Sequence, residues 1–364
     1  MLALPDFPWD SIQAEAERAR THPDGFVDLS VGSPVDPAPA FVREALAAAA
    51  DAHGYPTTIG SPELRQAMVD WWARRRGVTG LGLDQVLPSI GSKECIALLP
   101  LTLGLGPGDV VVHPELAYPT YEVGAAVAGA TALAADDPAA WPDATRLVWL
   151  NSPGNPDGRV LDVEQLRAAV QRARELGAVL VGDECYAELN WSSLDPTPSV
   201  LDPEVTGGSV EGLLAVYSLS KQSNLAGYRA GLIAGDAALI RGILEVRKNL
   251  GLMTPGPVQA VMAAALADDA HVAAQRERYL ERRRVLSRAL TGAGFRIDES
   301  TAGLYLWATR GEPARDTLRL LAAAGILVAP GDFYGPRGAQ HVRVALTASD
   351  ATIREAVGRL ELLA

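Results

Sequence analysis

Residues 218–229 read Ser-Leu-Ser-Lys-Gln-Ser-Asn-Leu-Ala-Gly-Tyr-Arg and join two short apolar runs, 213–217 and 230–234. Continuous apolar runs of this length are typical of buried strands. Lys221 therefore lies just beyond the end of a strand, where a solvated surface charge is a poor explanation. Partial burial and a neighbouring cation make an amine nucleophilic, so we predict that Lys221 forms a Schiff base. The alternative is a lysine in a polar loop that merely neighbours an arginine.

Three other residues of this stretch are suited to bind an anion. Ser218 and Ser220 precede the lysine, and Arg229 follows it. Hydroxyl groups and a guanidinium group form strong hydrogen bonds to a phosphate. A phosphate site beside an imine-forming lysine indicates pyridoxal 5′-phosphate as the cofactor.

Length and composition describe an ordinary globular protein. The chain has 364 residues, of which 48% are hydrophobic and 21% are charged, and this length favours two domains. The net charge of −12 argues against a nucleic-acid partner, which requires a basic surface. The arginine clusters at 74–76 and 282–284 fall in helical patterns, so we expect them to lie on solvated helix faces.

Other features predict a cytoplasmic protein without a membrane span. A transmembrane helix requires a run of about 18 apolar residues, and the sequence contains none. Residues 1–10 do not resemble a signal peptide, because no basic region precedes an apolar core. Cys95 and Cys185 lie in apolar surroundings, which favours small buried thiols in a reduced compartment over a disulfide framework.

Alternating strands and helices predict an α/β fold. The apolar runs 110–112, 147–150 and 178–182 lie between helical patterns, which indicates a mostly parallel sheet covered by helices on both faces. The predicted helices span 9–20, 39–52, 61–76, 162–176, 237–250 and, as one long or interrupted helix, 257–293.

The last part of the chain changes pattern and predicts a smaller domain of the α+β class. A final helix is expected from Asp350 onwards. The strand candidates of this domain are 303–308, 326–329 and 341–346. The predicted division is an amino-terminal segment that joins the small domain, a large cofactor-binding domain and a small carboxyl-terminal domain, at 1–40, 41–255 and 256–364.

Polar residues follow the ends of these strands, where an open α/β sheet binds its ligands. Asp183 follows the run 178–182, and a buried carboxylate there needs a cationic partner such as a pyridinium nitrogen. Tyr186 and Asn155 could reach the ring hydroxyl group of the same cofactor. The alternatives are a loop or capping role for Asp183 and a turn role for Asn155, because Asn-Pro-Asp-Gly favours a turn by itself.

Two further groups are candidate anion sites. Gly91, Ser92 and Lys93 open a helix, and the N–H groups of a helix start suit a phosphate, although most such turns only cap the helix. Arg343 lies in the apolar run 341–346, where an inward guanidinium group would bind a carboxylate through two parallel hydrogen bonds. A strand arginine that points to solvent is the alternative. The histidines lack metal-ligand spacing, so no metal site is predicted.

In their order along the chain, these motifs resemble the class I and II, fold-type I aminotransferases that use pyridoxal 5′-phosphate. The similarity rests on the Asn-Pro pair at Asn155, on 183–186 (DECY), on 218–229 and on Arg343, and it extends from Asp28 to the carboxyl terminus. It implies a seven-stranded, mostly parallel sheet between helices, together with the smaller α+β domain. It also implies a homodimer with shared active sites.

The resemblance implies a role for each matching residue. Lys221 corresponds to the Schiff-base lysine, which also moves the proton, and Asp183 to the partner of the pyridinium nitrogen. Asn155 and Tyr186 correspond to the contacts of the ring hydroxyl group, and Tyr118 to the aromatic residue that stacks on the ring. The residues that match the phosphate site are Gly91, Ser92, Lys93, Ser218 and Arg229.

The resemblance also implies where substrates and the neighbouring subunit bind. Arg343, Asn155 and the backbone of Gly32 match the site of the substrate α-carboxylate. Tyr55 matches a tyrosine that reaches the phosphate in the neighbouring subunit.

The wording of the motifs is most similar to the succinyldiaminopimelate aminotransferases of high-GC bacteria. This similarity implies transfer of an amino group between glutamate and N-succinyl-2-amino-6-oxopimelate, in lysine and diaminopimelate biosynthesis. The alternatives are a transaminase for aspartate or an aromatic amino acid, a carbon–sulfur lyase that uses the same carbanion, and a non-enzymatic regulator.

The sequence does not identify the residue that binds the distal end of the substrate. Arg247 and Lys248 are candidates for its carboxylate only by their position in the chain. Two departures from the family pattern bear on the site. Asp157 stands where threonine is commonest, and Lys93 adds a charge near the phosphate.

Overall fold

The structure is a computed structural model that describes residues 4–192 and 196–363. Residues 1–3, which belong to the segment compared with a signal peptide, and residue 364 lie outside the described residues. The strands are β1 Val27–Asp28, β2 Val86–Ile90, β3 Val110–His113, β4 Thr131–Ala134, β5 Thr145–Asn151, β6 Val179–Asp183, β7 Leu213–Ser218, β8 Ala230–Gly235, β9 Arg296–Asp298, β10 Tyr305–Thr309, β11 Ile326–Leu327, β12 Ala329–Pro330 and β13 His341–Ala345.

The helices of the described ranges alternate with these strands. They are α1 Gln13–Arg20, α2 Ala40–Ala48, α3 Pro62–Arg76, α4 Gly91–Thr102, α5 Thr120–Ala128, α6 Val163–Leu176, α7 Pro203–Thr206, α8 Leu219–Gln222, α9 Ala237–Leu250, α10 Gly256–Ala267, α11 Ala270–Gly292, α12 Ala314–Ala323 and α13 Asp350–Glu361. The long helical pattern predicted over 257–293 is therefore interrupted, between α10 and α11.

Seven strands form the central sheet, in the order β2-β8-β7-β6-β5-β3-β4. Every neighbouring pair is parallel except the two pairs that involve β8, which runs antiparallel to β2 and to β7. The mostly parallel, seven-stranded sheet expected from the sequence is confirmed.

Both faces of this sheet are buried. Along β5, Val148 belongs to the core on one face, whereas Leu147 and Trp149 belong to the core on the other. Successive side chains of a strand point to opposite faces, so a strand covered on both sides must be apolar throughout. This is the reason that continuous apolar runs predicted the central strands correctly.

Helix α6 shows how local signals fix the ends of an element. An oxygen of Asp162 accepts a hydrogen bond from the backbone N–H of Gln165 (2.8 Å), and the Gln165 side chain accepts one from the N–H of Asp162 (3.0 Å). This reciprocal capping begins the helix. Gly177 ends it in the left-handed conformation (φ 62°), which glycine adopts without a steric penalty. Leu166 and Val170 are buried against the sheet.

A smaller unit is built on a four-stranded antiparallel sheet in the order β12-β13-β10-β9. The amino-terminal residues Ile12, Ala16 and Val27 belong to the hydrophobic core of this unit, and β1 pairs with β11. From these contacts we propose that the amino-terminal segment joins the small domain.

Helix α10 bears on the predicted boundary between residues 255 and 256. Its residues Val261, Met262 and Leu266 belong to the core under the seven-stranded sheet, together with Val42 of α2. We therefore propose that the large domain extends to Ala267, where α10 ends.

The expectation that both arginine clusters lie on solvated helix faces is wrong for one residue in each. Arg76 is 4% exposed and forms an ion pair with Glu184 (2.9 Å). Arg282 is 3% exposed and forms an ion pair with Asp36 (2.7 Å). A helical pattern gives the spacing of charged residues, whereas the partner of each is set by elements distant in sequence.

The structure also bears on the membrane and on the cysteines. Within the described ranges, no helix combines the length and the apolar character that crossing a bilayer requires. Cys95 and Cys185 are both buried and free, as the sequence predicts.

Candidate active site

The predicted site residues meet at the carboxyl ends of the parallel strands. Asp183 ends β6 and is paired in register with Asn151 at the end of β5. Lys221 lies in the single turn of α8, directly after β7. Because β5, β6 and β7 are parallel neighbours, their ends share one edge of the sheet, which brings these distant segments into one cleft.

A cleft of about 430 Å³ opens at this edge. Tyr55 does not line it, and its side chain is 95% exposed. Nowhere in residues 4–192 and 196–363 are three histidine, cysteine or carboxylate side chains grouped so that they could hold a metal ion. The predicted residues that line the cleft are Gly32, Ser92, Lys93, Tyr118, Asn155, Asp183, Tyr186, Ser218, Lys221, Arg229 and Arg343.

The amine of Lys221 is held by the amino-terminal segment. Its Nζ donates a hydrogen bond to the carbonyl oxygen of Gly32. A Cβ atom at position 32 would lie 1.9 Å from the hydroxyl oxygen of Tyr305, so any larger residue would displace that ring. Glycine is therefore required here by close approach, and the half-buried amine faces the cleft beside a tyrosine hydroxyl.

Asp183 is a buried acid that forms no ion pair with any residue in the described part of the chain. It is 5% exposed. Its Oδ2 accepts a hydrogen bond from the hydroxyl group of Tyr121 (2.8 Å), and its Oδ1 accepts one from the N–H of Cys185 (3.2 Å). Burial raises the pKa of the carboxyl group, although both hydrogen bonds oppose this shift. A cationic ligand group beside Asp183 would restore the charged form.

Arg343 points inward from β13 and is 3% exposed. Its Nη1 donates to Oδ1 of Asn155 and its Nη2 donates to the carbonyl oxygen of Ser30, both at 2.8 Å. Its Nε has no hydrogen-bond partner among the residues that the structure describes. A buried guanidinium group with an unused donor suits a carboxylate, and the alternative of a solvent-facing arginine does not hold.

Tyr186 and Tyr305 form a buried pair, with 3.0 Å between their hydroxyl oxygens. Burial, followed by the charge and hydrogen bond of Tyr305, raises the pKa of Tyr186 well above its usual value. Burial alone would raise the pKa of Tyr305 too, but Arg343, Lys221 and the hydrogen bond with Tyr186 outweigh it and lower that pKa. The two hydroxyl groups share one hydrogen bond, in which either oxygen can be the donor.

Residues from two distant segments form a cradle for an anion. Gly91 has a φ of +71°, and a Cβ atom there would lie 2.3 Å from Nη2 of Arg229. Ser218 lies directly before α8 and Ser220 lies within it. Their Oγ atoms are 2.8 Å apart. The missing side chain of Gly91 thus lets the guanidinium group of Arg229 pack against the start of α4, where backbone N–H groups and the helix dipole favour negative charge.

Lys93 is a cation on the wall of the cleft. It is exposed, and its Nζ lies 5.9 Å from the ring centroid of Phe7. Trp9 of the same amino-terminal segment also lines the cleft. No salt bridge joins Lys93 to a residue in the described ranges, so its charge remains for a ligand.

The two residues that the sequence suggested for the distal carboxylate lie elsewhere. Arg247 is 2% exposed and donates to both oxygens of Glu94 (2.7 and 3.0 Å). Lys248 lies on the surface and pairs with Glu245 (2.7 Å). Neither residue lines the cleft, so neither is placed to bind the distal carboxylate there.

Asp157, which replaces the commoner threonine, does not line the cleft either. Its Oδ1 accepts a hydrogen bond from the N–H of Arg159 (3.2 Å), within the turn after Asn155. Burial raises the pKa of its carboxyl group. The substitution therefore acts on the turn and not on the walls of the cleft.

Three aromatic residues of the site were not predicted from the sequence. Tyr121 bonds Asp183, while Tyr305 and Trp9 line the cleft. Each is an aromatic residue in a helix, strand or short turn, which is the usual signal of a core residue. Their spacing along the chain gave no indication of the polar partners that they meet in the folded protein.

The arrangement fits pyridoxal 5′-phosphate. The buried carboxylate of Asp183 has no cationic partner among the described residues. A pyridinium nitrogen would supply one. The guanidinium group of Arg229, which packs against Gly91 and lines the cleft, suits a phosphate. The amine of Lys221 faces the same cleft, where an aldehyde could react with it.

Fold and site together define the class of enzymes that use pyridoxal 5′-phosphate on a fold-type I scaffold. The family model described as aminotransferase class I and II matches residues 24–360. The chain belongs to this family, so it is an aminotransferase and its cofactor is pyridoxal 5′-phosphate.

Two curated relatives share more than half of their residues with this chain. A protein of Mycobacterium tuberculosis named as a probable aminotransferase is 58% identical, over 98% of this chain and 85% of its own length. The 4-dedimethylamino-4-oxo-anhydrotetracycline transaminase OxyQ of Streptomyces rimosus is 56% identical, over 99% of this chain and all of its own length. An LL-diaminopimelate aminotransferase of Gloeobacter violaceus is 32% identical, over 98% and 96%.

Solved structures share the fold over almost the whole chain. The N-succinyldiaminopimelate aminotransferase of Mycobacterium tuberculosis superposes with a TM-score of 0.87 at 27% identity, covering 98% of this chain and 97% of the other. An aminotransferase of Neisseria meningitidis superposes with a TM-score of 0.87 at 30% identity, covering 99% and 97%.

Proposed function

We propose that this aminotransferase moves an amino group between glutamate or 2-oxoglutarate and N-succinyl-2-amino-6-oxopimelate, whose aminated form is N-succinyl-LL-2,6-diaminopimelate. The observation that carries the reaction type is the meeting of the Lys221 amine, the buried carboxylate of Asp183 and the buried guanidinium group of Arg343 in one cleft. The acceptor is supported by relatives named for diaminopimelate compounds and by the cation Lys93 on the wall of the cleft.

Arg343 binds the α-carboxylate that both substrates present. Asn155 and Ser30 fix the plane of its guanidinium group, since each accepts one hydrogen bond from an Nη group. The Nε hydrogen and one hydrogen on each Nη are left for the ligand. The backbone N–H of Gly32 lies on the same cleft wall and contributes a further donor. One carboxylate site therefore serves the amino donor and the oxo-acid acceptor in turn.

Lys221 moves the proton. When bound, pyridoxal 5′-phosphate supplies an electron sink conjugated to the amino group of the substrate. Nζ of Lys221 takes the proton from the α-carbon as a general base and returns it as a general acid. The carboxylate of Asp183 would hold the ring nitrogen in its protonated form, and Tyr118, Asn155 and Tyr186 would hold the ring.

The distal carboxylate of the acceptor is bound by Lys93. The resemblance places Lys93 among the phosphate-site residues, and we propose that its ammonium group, on the wall of the same cleft, also binds the distal carboxylate. Lys93→Ala should raise KM for N-succinyl-2-amino-6-oxopimelate about tenfold, as expected for loss of one hydrogen bond to a charged group. The KM for pyruvate, which has no distal carboxylate, should stay within about twofold. Lys248→Ala is the matched control, because Lys248 lies outside the cleft.

A panel of oxo acids with glutamate as the amino donor tests the proposal. N-succinyl-2-amino-6-oxopimelate should give the highest kcat/KM, above oxaloacetate and phenylpyruvate. A higher value for either of these two acids would assign the enzyme to aspartate or to an aromatic amino acid. Release of pyruvate from a cysteine conjugate without 2-oxoglutarate would instead identify a carbon–sulfur lyase.

A polycyclic ketone is a second candidate acceptor, because OxyQ is 56% identical over nearly the whole chain. That interpretation predicts that Lys93 is dispensable, since such a ketone presents no distal carboxylate of the pimelate type. Adding 4-dedimethylamino-4-oxo-anhydrotetracycline to the panel separates the two candidates. Preference for it, with no effect of Lys93→Ala, would replace the succinyl acceptor.

The proposal includes a cytoplasmic homodimer with shared active sites. Tyr55 is 95% exposed and lies outside the cleft of its own chain, which suits a side chain that reaches the phosphate of a neighbouring subunit. Sedimentation should therefore give twice the mass of the chain. Tyr55→Phe should weaken cofactor binding without changing that mass, and a monomeric active enzyme would contradict the shared site.

A further inference from the structure

Tyr305 stands where four groups of the site converge. It is 3% exposed in β10. Its hydroxyl oxygen lies against Gly32, whose carbonyl oxygen accepts the hydrogen bond of Lys221. The same hydroxyl group bonds Tyr186, and its ring faces Arg343. Tyr305 therefore contacts both the arginine proposed to bind the α-carboxylate and the tyrosine proposed to contact the cofactor ring.

The ring of Tyr305 supports the carboxylate-binding arginine. The guanidinium carbon of Arg343 lies 3.9 Å from the ring centroid, within the range of a strong cation–π contact. Tyr334 is more distant, with 5.1 Å from the same carbon to its ring centroid. Because both partners are almost fully buried, water screens this attraction little, and the ring holds the guanidinium plane.

The hydroxyl group of Tyr305 contacts Tyr186. It forms a hydrogen bond with the hydroxyl group of Tyr186, at 3.0 Å between the two oxygens, and thereby fixes the position of the Tyr186 hydroxyl group. Arg343 and Lys221, together with the hydrogen bond to Tyr186, lower the pKa of Tyr305 against the opposing effect of burial. The hydroxyl group of Tyr305 is therefore a hydrogen-bond partner that holds Tyr186 in place.

We propose that Tyr305 is a positioning residue of the active site, whose ring supports Arg343 and whose hydroxyl group holds Tyr186. The inference rests on the proposed roles of Arg343 and Tyr186 and goes beyond them. Gly32 is glycine because the hydroxyl group of Tyr305 occupies the space of a side chain. Tyr305 thereby links the orientation of the α-carboxylate site to that of the ring contacts.

The first test uses the cofactor-free full-length protein and reads the ultraviolet absorbance of ionised tyrosine against pH. In the wild type, one phenol should ionise below the usual value of about 10, and Tyr305→Phe should remove that transition. Tyr334→Phe is the matched control, because its buried hydroxyl group has no hydrogen-bond partner among the described residues. Identical titrations of wild type and Tyr305→Phe would overturn the proposal.

The second test separates the ring from the hydroxyl group in the loaded enzyme. Tyr305→Leu should raise KM about tenfold for both the amino donor and the oxo acid, since the cation–π contact is lost. Tyr305→Phe should keep both KM values within about twofold, because the ring remains, but should shift the visible absorbance band, because Tyr186 loses its hydrogen-bond partner. An unchanged KM in a folded Tyr305→Leu variant would overturn the role of the ring in supporting Arg343. An unshifted band in Tyr305→Phe would overturn the role of the hydroxyl group in holding Tyr186.

These tests distinguish failure of this inference from failure of the proposed function. The phenol titration needs no substrate, so it decides on Tyr305 even if the oxo-acid panel identifies another acceptor. The KM comparison can be made with the amino donor glutamate whichever acceptor the panel selects, because glutamate presents the α-carboxylate that Arg343 binds. Tyr334→Phe should leave KM and the band unchanged, and thermal unfolding of each variant verifies that it is folded.

Discussion

The hydroxyl group of Tyr121 in α5 donates a 2.8 Å hydrogen bond to Oδ2 of Asp183 at the end of β6. The two residues come from different elements, and both are buried. Tyr121 therefore holds one carboxylate oxygen while the rest of the acid remains available to the ring nitrogen.

Replacing Tyr121 by phenylalanine should destabilise the ionised form of the Asp183 carboxyl group. Burial raises the pKa of this carboxyl group, and the bond from Tyr121 opposes the shift, so its loss raises the pKa further. Because the ionised acid is needed, the acidic limb of the kcat/KM profile should move to higher pH. The loss of activity should be about tenfold, as for a hydrogen bond to a charged group. Tyr217→Phe, which removes a buried hydroxyl group bonded to Gln222, should leave the profile unchanged.

Lys221→Ala should abolish the visible absorbance band that the wild type shows with pyridoxal 5′-phosphate, because the amine that joins the aldehyde is gone. Circular dichroism should remain that of a folded protein, since the side chain is only half buried. Lys248→Ala, on the surface, should keep the band. A persistent band in Lys221→Ala would move the attachment site to another amine.

Arg343→Ala should raise KM for both substrates by about tenfold to hundredfold, the range for hydrogen bonds to a charged group. Both substrates depend on this residue because both present an α-carboxylate. Arg343→Lys should recover only part of the loss, since an ammonium group lacks the planar pair of donors. Arg337→Ala, a surface variant, serves as the control, and an unchanged KM in Arg343→Ala would exclude this residue from carboxylate binding.

The buried pair of Arg76 and Glu184 should contribute to stability far more than a surface pair. The side chains are 1% and 2% exposed, so Arg76→Ala leaves a carboxylate buried and unpaired, at a cost of about 3–5 kcal/mol. Arg284→Ala removes the exposed pair with Glu281 and should cost about 0–1 kcal/mol. Urea unfolding of both variants measures the difference. Equal losses would indicate that the buried pair relaxes into water.

Asp36 should make the free energy of unfolding depend on pH. Burial alone would raise its pKa, but hydrogen bonds from Arg282 and Gln275 and the charges of Arg282 and Arg278 lower it. The folded pKa thus lies below the unfolded value of about 4, so the contribution is complete above that value and is lost as the pH falls through the folded pKa. Asp36→Asn should flatten this acidic decline, and the exposed Asp143→Asn should not.

The strands at the centre of the sheet were predictable, whereas its edge was not. The continuous apolar runs of β5 to β8 arise because both faces are covered, as at Leu147 and Val148. Strand β4 was missed, because it lies at the edge of the sheet and is partly exposed. An edge strand is covered less completely and need not be apolar throughout.

The cleft was predictable in its chemistry-bearing residues but not in their supports. Lys221, Asp183 and Arg343 carry charges at strand ends or in apolar runs, where charge is conspicuous. Arg247 was a wrong candidate, because its chain position near the motif says nothing about Glu94, its partner. Tyr121 has no such signal in the sequence, since aromatic residues are common in any hydrophobic core.

By itself, the sequence determined the alternation of strands and helices and the order of the polar motifs, because burial on both faces dictates apolar runs and strand ends collect ligand-binding groups. Only the tertiary structure decided which side chains meet. Tyr121 and Asp183 are 62 positions apart, and Tyr186 and Tyr305 are 119 positions apart. A hydrogen bond depends on the distance between two atoms in space, and no local pattern in the chain records that distance.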